Sequence, residues 1–492
     1  MRDDQVAAAR TRHQATFAVL ATAVAAYALL QSLVIPVLPT IQAGLHTSQN
    51  TVTWVLTAYL LSASIFTPII GRLGDQLGKE RMLVVALVAL TLGSLLSALA
   101  PSIPVMLVGR VIQGVGGGVV PLAFGIIRDE FPKDKVPGAI GIIAALAAAG
   151  AGLGLVLAGP IVGALDYHWL FWIPAILLAV ACVAAKVVVP ASPVRAPGRL
   201  SWGAAALLSG WLVALLVPVS EAPSWGWGSS RVLGLLGLTV VLAALWVLVE
   251  TRSSHPLIDM HMMRIPAVWT ANLVAFLFGV GMYAVFAFLP EFLQSAPSAG
   301  YGFGVSITHS GLILLPMSVM MFAFGTASGP LTVRFGGKAV LLAGSTIAVV
   351  PFVLLVVAHA AQWQIVLAMA LMGAGFGLAF AAMSNLIVEG VPPAQTGVAS
   401  GMNANIRTIG GSLGAAVMSS IVTGSAHGGL PTEGGYTHGF ELLTATAALA
   451  ALAALLVPSA RRRVGRDELR RALPHAELAQ VAGGTVLGDE PE

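Results

Sequence analysis

Charge is what this 492-residue chain has least of: Asp, Glu, Lys and Arg make up 9% of it, against about 25% in soluble domains. Hydrophobic residues make up 57%. Such a chain would not stay dissolved, so composition alone makes it a polytopic membrane protein. Cysteine is nearly absent. Cys182 stands alone in an apolar run, which excludes an internal disulfide or a cysteine metal cluster. There is no Gly-x-x-x-x-Gly-Lys-[Ser/Thr] loop, so ATP-driven pumping within the chain is not expected. No paired acids, His cluster or nucleophile–base set stands at membrane depth. An enzyme is therefore not expected, nor is a cofactor or a metal site. His255 and His261, with Asp259 between them, do not change that reading. The formal charge of +4 is dispersed among loops rather than gathered on one face, so nucleic acid is not an expected partner. No cleavable signal peptide is evident, because residues 1–13 are polar and basic and the run after them is long enough to span.

What is present is a series of long apolar runs. Each is about 20 residues or more, enough to cross ~30 Å of hydrocarbon at ~1.5 Å per residue. The runs fall at 15–40, 51–70, 82–100, 104–127, 137–164, 168–189, 200–218, 231–250, 267–290, 308–332, 338–358, 363–388, 396–423 and 438–458. Of the 25 Lys and Arg residues, all but Arg110, Arg231 and Arg407 fall in the segments on one side of this series. By the positive-inside rule that side is cytoplasmic, and it holds both chain ends. The expected location is the cell membrane, with lipid as a partner.

The chain is organised around residues 71–83, Gly-Arg-Leu-Gly-Asp-Gln-Leu-Gly-Lys-Glu-Arg-Met-Leu, between the second and third runs. They read as a tight charged hairpin. Gly71, Gly74 and Gly78 permit a sharp turn and close helix approach. Arg72, Lys79 and Arg81 hold the loop on the cytoplasmic side, and Asp75 is placed to pair with them or with a helix N-terminus. A repeat is visible. Residues 329–338, Gly-Pro-Leu-Thr-Val-Arg-Phe-Gly-Gly-Lys, match at Gly329, Leu331 and Gly336, with Val333 where the first copy has Asp75. Gly373, Gly375 and Gly377 likewise echo Gly114, Gly116 and Gly118.

The hairpin spacing closely resembles the Gly-x-Leu-x-Asp-x-x-Gly-x-[Arg/Lys] signature of the major facilitator superfamily. Arg110-Val-Ile-Gln113-Gly-Val-Gly resembles that family's fourth-span signature. Asn403-Ala-Asn-Ile-Arg407-Thr-Ile-Gly-Gly-Ser-Leu-Gly resembles the thirteenth-span pattern of its fourteen-span drug:proton antiporters. The resemblance implies an all-α fold of fourteen transmembrane helices: two six-helix bundles, residues 15–189 and 267–458, with an inserted helix pair and linker at 190–266. The ends, 1–14 and 459–492, become cytoplasmic appendages. It also implies a conformational latch at Gly71, Arg72, Gly74, Asp75, Gly78 and Arg81. Gly159, Pro160 and Gly163 match the family's antiporter signature incompletely, with Leu155 and Ala164 in place of two glycines.

The implied function is proton-coupled export of amphipathic small molecules, drugs or secondary metabolites, and the expected carrier is a monomer. Two alternatives stand beside it: a dedicated exporter of an anionic metabolite, which two buried arginines without a mid-span acid would suit, and a non-transporting membrane sensor of the same fold. Asp75, Arg110, Gln113 and Glu291 are the candidates for proton coupling or conformational control. Arg110 reads equally as a structural arginine tied to backbone carbonyls, and Glu291 as a solvated helix end. The expected cavity residues are Gln31, Trp54, Tyr59, Arg110, Asn272, Phe276, Met282, Tyr283, Asn385, Asn403 and Arg407. Trp54 also suits the interfacial belt, and Arg407 also suits packing against the latch. The first span lacks the acid that relatives often carry, with Leu30 at that position.

Overall fold

A computed structural model describes residues 2–192, 201–254, 256–424 and 431–458, without the side chains of residues 2–12, 49, 50 and 299. The linker and tail expected at 193–200 and 459–492, and His255, lie outside the described residues. Fourteen helices are long and apolar enough to cross a membrane: α1 (His13–Gly44), α2 (Thr51–Leu77), α3 (Lys79–Ala98), α4 (Ile103–Glu130), α5 (Val136–Ala164), α6 (Trp169–Val188), α7 (Trp202–Trp225), α8 (Ser230–Arg252), α9 (Pro266–Gln294), α10 (Ile307–Phe335), α11 (Gly337–Val357), α12 (Gln362–Gly390), α13 (Pro393–Gly424) and α14 (Glu433–Leu455). No strand occurs among the described residues.

The helices run past the apolar stretches at several ends. α2 continues through the charged motif to Leu77, and the chain reverses at Gly78 alone, where φ is 112°. Gly71 and Gly74 are therefore packing positions inside a helix and not turn residues. The helix can continue because Arg72 and Asp75 are buried in protein rather than exposed to lipid. The α10–α11 junction repeats the device at Gly336, with φ of 88°. Two spans are interrupted. Pro36 sits in a 3₁₀ turn, Ile35–Val37, within α1, and Val115–Gly118 forms another within α4.

Two apolar cores form. One draws almost wholly on α1–α6 and the other on α7–α14. These are two six-helix bundles plus an inserted pair, α7 and α8. The pair contributes Ala204, Leu208, Leu212 and Trp246 to the second core, and the following loop adds Leu257, Ile258 and Met262. Glu250 fastens that loop, its carboxylate accepting the Leu257 and Ile258 N–H groups at 2.9 and 3.2 Å. Asp259 then accepts from Gln395 Nε2 at 3.2 Å, in the 3₁₀ turn Pro393–Gln395 that opens α13. Burial pushes the Asp259 carboxyl up, but hydrogen bonds from His261 and Gln395 outweigh it and hold the group below its usual range. At the other end of the pair, Trp227 Nε1 donates to Ser420 at 2.7 Å. α8 turns Leu233, Val240, Val241 and Leu248 outward, as a lipid-facing helix does.

The bundles meet along two seams, α2 against α13 and α5 against α10, and α7 covers the first. At the end carrying the Gly78 turn, here the hairpin end, both seams bring backbone against backbone. A Cβ on Gly71 would lie 2.5 Å from the Gly397 carbonyl oxygen, and one on Gly329 would lie 2.5 Å from the Gly138 Cα. The sequence repeat is thus a repeated contact between bundles.

Candidate functional site

At the hairpin end Asp75 crosses the seam. Its two carboxylate oxygens accept the Gly397 and Val398 N–H groups at 3.2 and 3.0 Å, in the first α-helical turn of α13, which begins at Thr396 after the opening 3₁₀ turn. A carboxylate there satisfies orphan donors and meets the positive end of the helix dipole. Lys79 Nζ lies 3.7 Å from Asp75 and 2.7 Å from Asp129, all three fully or almost fully buried. Ser192 donates its hydroxyl to Asp129 and its N–H to Glu80. Arg128, next to Asp129, reaches across to Thr396 Oγ1 at 2.7 Å and to the Val391 carbonyl at 2.8 Å. Asn385 donates to the Pro137 carbonyl at 3.2 Å, closing the second seam. Arg72 is buried within electrostatic reach of Asp75, Glu250 and Asp259. Arg81 is exposed beside Glu80.

Arg110 lies inside the first bundle. It is fully buried, with Nε donating to the Val55 carbonyl at 2.8 Å, Nη1 donating to Gln113 Oε1 at 2.7 Å, and the guanidinium 4.4 Å above the Tyr59 ring. Gln113 passes the chain on to Ser94 at 3.1 Å. The pairing three residues apart follows from the helical repeat. Which neighbour the pair would meet does not. The shared face turns toward α2 and α3, where glycines of α4 let the helices approach: Gly116 packs on Leu90 and Gly118 on Ile70.

A central cavity lies between the bundles. It is lined from the first by Tyr27, Gln31, Ser64 and Phe124, and from the second by Met282, Tyr283, Phe286, Phe380, Asn403, Asn405 and Arg407, among others. Gln31 Nε2 reaches Tyr283 Oη across it at 3.3 Å. Arg407 sits on its wall with the guanidinium 5.0 Å from the Phe380 ring centroid, away from the hairpin contacts. Six of the expected cavity residues do not line it. Arg110 and Tyr59 stand one layer behind, in the first bundle. Asn272 is buried and accepts from Asn403 at 3.0 Å, so it holds a lining residue rather than lining the cavity itself. Asn385 works at the hairpin-end seam. Phe276 packs under Gly410, and Trp54 is half-buried on α2. Tyr27, Phe380, Asn405 and Ser400 are lining residues that sequence reasoning missed. Only Asn405 had a visible signal, inside the 403–414 motif.

A second cavity opens toward the far end, lined by Pro36, Pro39, Pro290, Glu291, Gln294, Ser310 and Leu314. Ile35 and Phe286 line both cavities and divide them. Glu291 is exposed to this vestibule. Gly159 packs on Thr308 across the α5–α10 seam, beside Pro160 within α5, whereas Gly163 faces open space.

Two bundles thus surround one central cavity and are joined by a carboxylate-to-helix contact. A family model described as Major Facilitator Superfamily matches residues 20–415. The chain belongs to the major facilitator superfamily. Among curated relatives of this superfamily member, the "Tetracenomycin C resistance and export protein" of Streptomyces glaucescens is 29% identical over 417 residues, covering 84% of this chain and 76% of that one. The "Multidrug transporter protein MdtP" of Bacillus subtilis is 28% identical over 381 residues, covering 75% and 68%. Among solved structures, the human organic anion transporter MFSD10 superposes with a TM-score of 0.64 at 17% identity, covering 90% of this chain and 99% of that one. That likeness is one of fold.

Proposed function

We propose that this superfamily member is a secondary active exporter of amphipathic small molecules, working by proton antiport with alternating access. The hairpin end is the cytoplasmic end in this reading, and both chain ends lie there. The observation that carries it is the difference between the closures at the two ends of the central cavity. The cavity is shut on the hairpin side by Asp75, Arg128 and Asn385, and is separated from the far vestibule only by side chains, Ile35 and Phe286. A closed inner side and a thin outer partition suit the state that releases substrate outward. The export and multidrug transport named for the relatives support the direction and the substrate size.

Glu291 is the proton carrier in this scheme. Among the described residues it is the carboxylate that lines the vestibule directly outside the partition, and none of their carboxylates lines the central cavity. Substrate leaving and proton entering would then use the same opening. Glu291→Gln removes the titrating group at nearly constant shape. It is expected to abolish transport driven by a pH gradient in proteoliposomes while substrate still binds with unchanged affinity. Coupled transport at the wild-type rate in Glu291→Gln would remove Glu291 from the mechanism.

A further inference from the structure

We infer that the central cavity selects aromatic anions, with the Arg407 guanidinium as the charge anchor. The inference rests on the exporter reading and names its substrate class.

The charge pattern of the cavity wall is one-sided. Among the described residues Arg407 is the only formally charged one that lines it, and none of their carboxylates forms an ion pair with Arg407. Arginine does not discharge itself by losing a proton. A guanidinium held at membrane depth is costly and needs water, a counter-ion or a ligand. Arg110 shows the structural alternative in the same molecule: it spends its donors on Val55 and Gln113. Arg407 does not. It has one ring contact, with Phe380, and its Nε is buried without a partner. The Phe380 contact uses none of the guanidinium's N–H donors, and a guanidinium with donors to spare can grip a carboxylate through parallel hydrogen bonds.

The rest of the wall fits the same ligand. Tyr27, Phe124, Tyr283, Phe286 and Phe380 offer ring faces and edges to an aromatic body. Ser64 Oγ, Ser400 Oγ and both amide atoms of Asn405 are buried on this wall with no partner in the protein. Buried polar groups are ordinarily satisfied, so an unpaired set facing one cavity marks a place where a guest supplies the bonds. A cationic amphiphile would find an uncompensated like charge there and no acid, which is how a site rejects a class of ligand.

The test uses three probes with one ring system and different charge: 2-naphthoate, neutral 2-acetylnaphthalene and (2-naphthylmethyl)trimethylammonium. Affinities are measured by calorimetry on the purified full chain in a non-ionic detergent, for the wild type, Arg407→Gln and Arg407→Lys. The wild type should bind 2-naphthoate at least about tenfold more tightly than the ammonium probe, ~1.4 kcal/mol. Arg407→Gln should erase that preference and leave 2-acetylnaphthalene within about twofold, and Arg407→Lys should keep part of it. Wild-type protein that binds the ammonium probe as tightly as 2-naphthoate overturns the inference, whether or not Arg407→Gln folds. So does a preference that survives in Arg407→Gln, or failure of all three probes to bind. Flux of amphiphiles in proteoliposomes is scored separately. Flux without a charge preference sinks the anion class alone, whereas absence of flux sinks the exporter reading.

Discussion

Asp75 joins two physical effects in one carboxylate. It accepts two backbone N–H groups at the start of α13, and it faces the buried ammonium of Lys79. Hydrogen bonds to a charged group contribute roughly 1.5–3 kcal/mol, enough to set the balance between a closed and an open seam. Asp75→Asn keeps the shape and loses the charge, and one end of its amide would present N–H groups to the N–H donors of α13. The seam should open. The chain has one cysteine, so Cys182→Ser gives a cysteine-free background for Ser384→Cys, which lies on the cavity wall. In that background Asp75→Asn should speed labelling of Cys at 384 from the hairpin side by about tenfold, the factor that ~1.4 kcal/mol gives. An unchanged labelling rate in inside-out vesicles would mean that Asp75 does not hold the seam. The acid itself was legible in the sequence, because the motif spacing singles out Asp75, the one acid in the first part of the hairpin. Its partners were not. Gly397 and Val398 lie more than 300 residues away and contribute only backbone N–H groups, which no side-chain pattern announces. Arg110 illustrates the converse limit. Burial and pairing with Gln113 follow from sequence, whereas the direction of the shared face depends on how α4 settles against α2 and α3.

For the helices, apolar run length gave the number of spans and their order, and the tests it failed are instructive. The second run was expected to end at 70 because charges begin there, yet α2 continues to Leu77. Charged residues end a helix facing lipid, but they do not end one facing a protein seam where Lys79, Asp129 and the α13 N-terminus receive them. The glycines change meaning accordingly. Only Gly78 turns the chain, and Gly71 is where α2 touches backbone of α13. Gly71→Ala places a methyl group 2.5 Å from the Gly397 carbonyl oxygen, a contact no rotamer relieves. The bundles must separate at that end, so Gly71→Ala should reproduce the faster labelling of Asp75→Asn without altering any charge. A labelling rate equal to that of the parent would show that the seam tolerates the extra atom. The inserted pair was legible as two surplus apolar runs. Its attachment to the second bundle was not, since it depends on Glu250 capturing two loop N–H groups and on Leu257 and Ile258 entering that core.

As a whole molecule, the superfamily member is two cores with a polar-specked cavity between them and unequal closure at its two ends. One bundle carries Asp75 and the other the helix start that receives it, while the repeat at Gly329 supplies a close contact without a charge. In the proposed cycle, rocking about such seams would exchange one set of closures for another. In that proposal the chemical sense of the exchange is set by where acids stand, and among the described residues Glu291 stands in the vestibule while no acid lines the central cavity. The most direct test of proton-coupled export is movement of protons and substrate in the same vesicle. The purified chain is reconstituted in proteoliposomes with an entrapped pH-sensitive dye and exposed to naphthalene amphiphiles of negative, zero and positive charge. The account predicts that at least one class is transported against its gradient when a pH difference is imposed, with matching proton flow, and that collapsing the difference with an ionophore stops both. Substrate movement that ignores the ionophore, or no movement of any class, would contradict it.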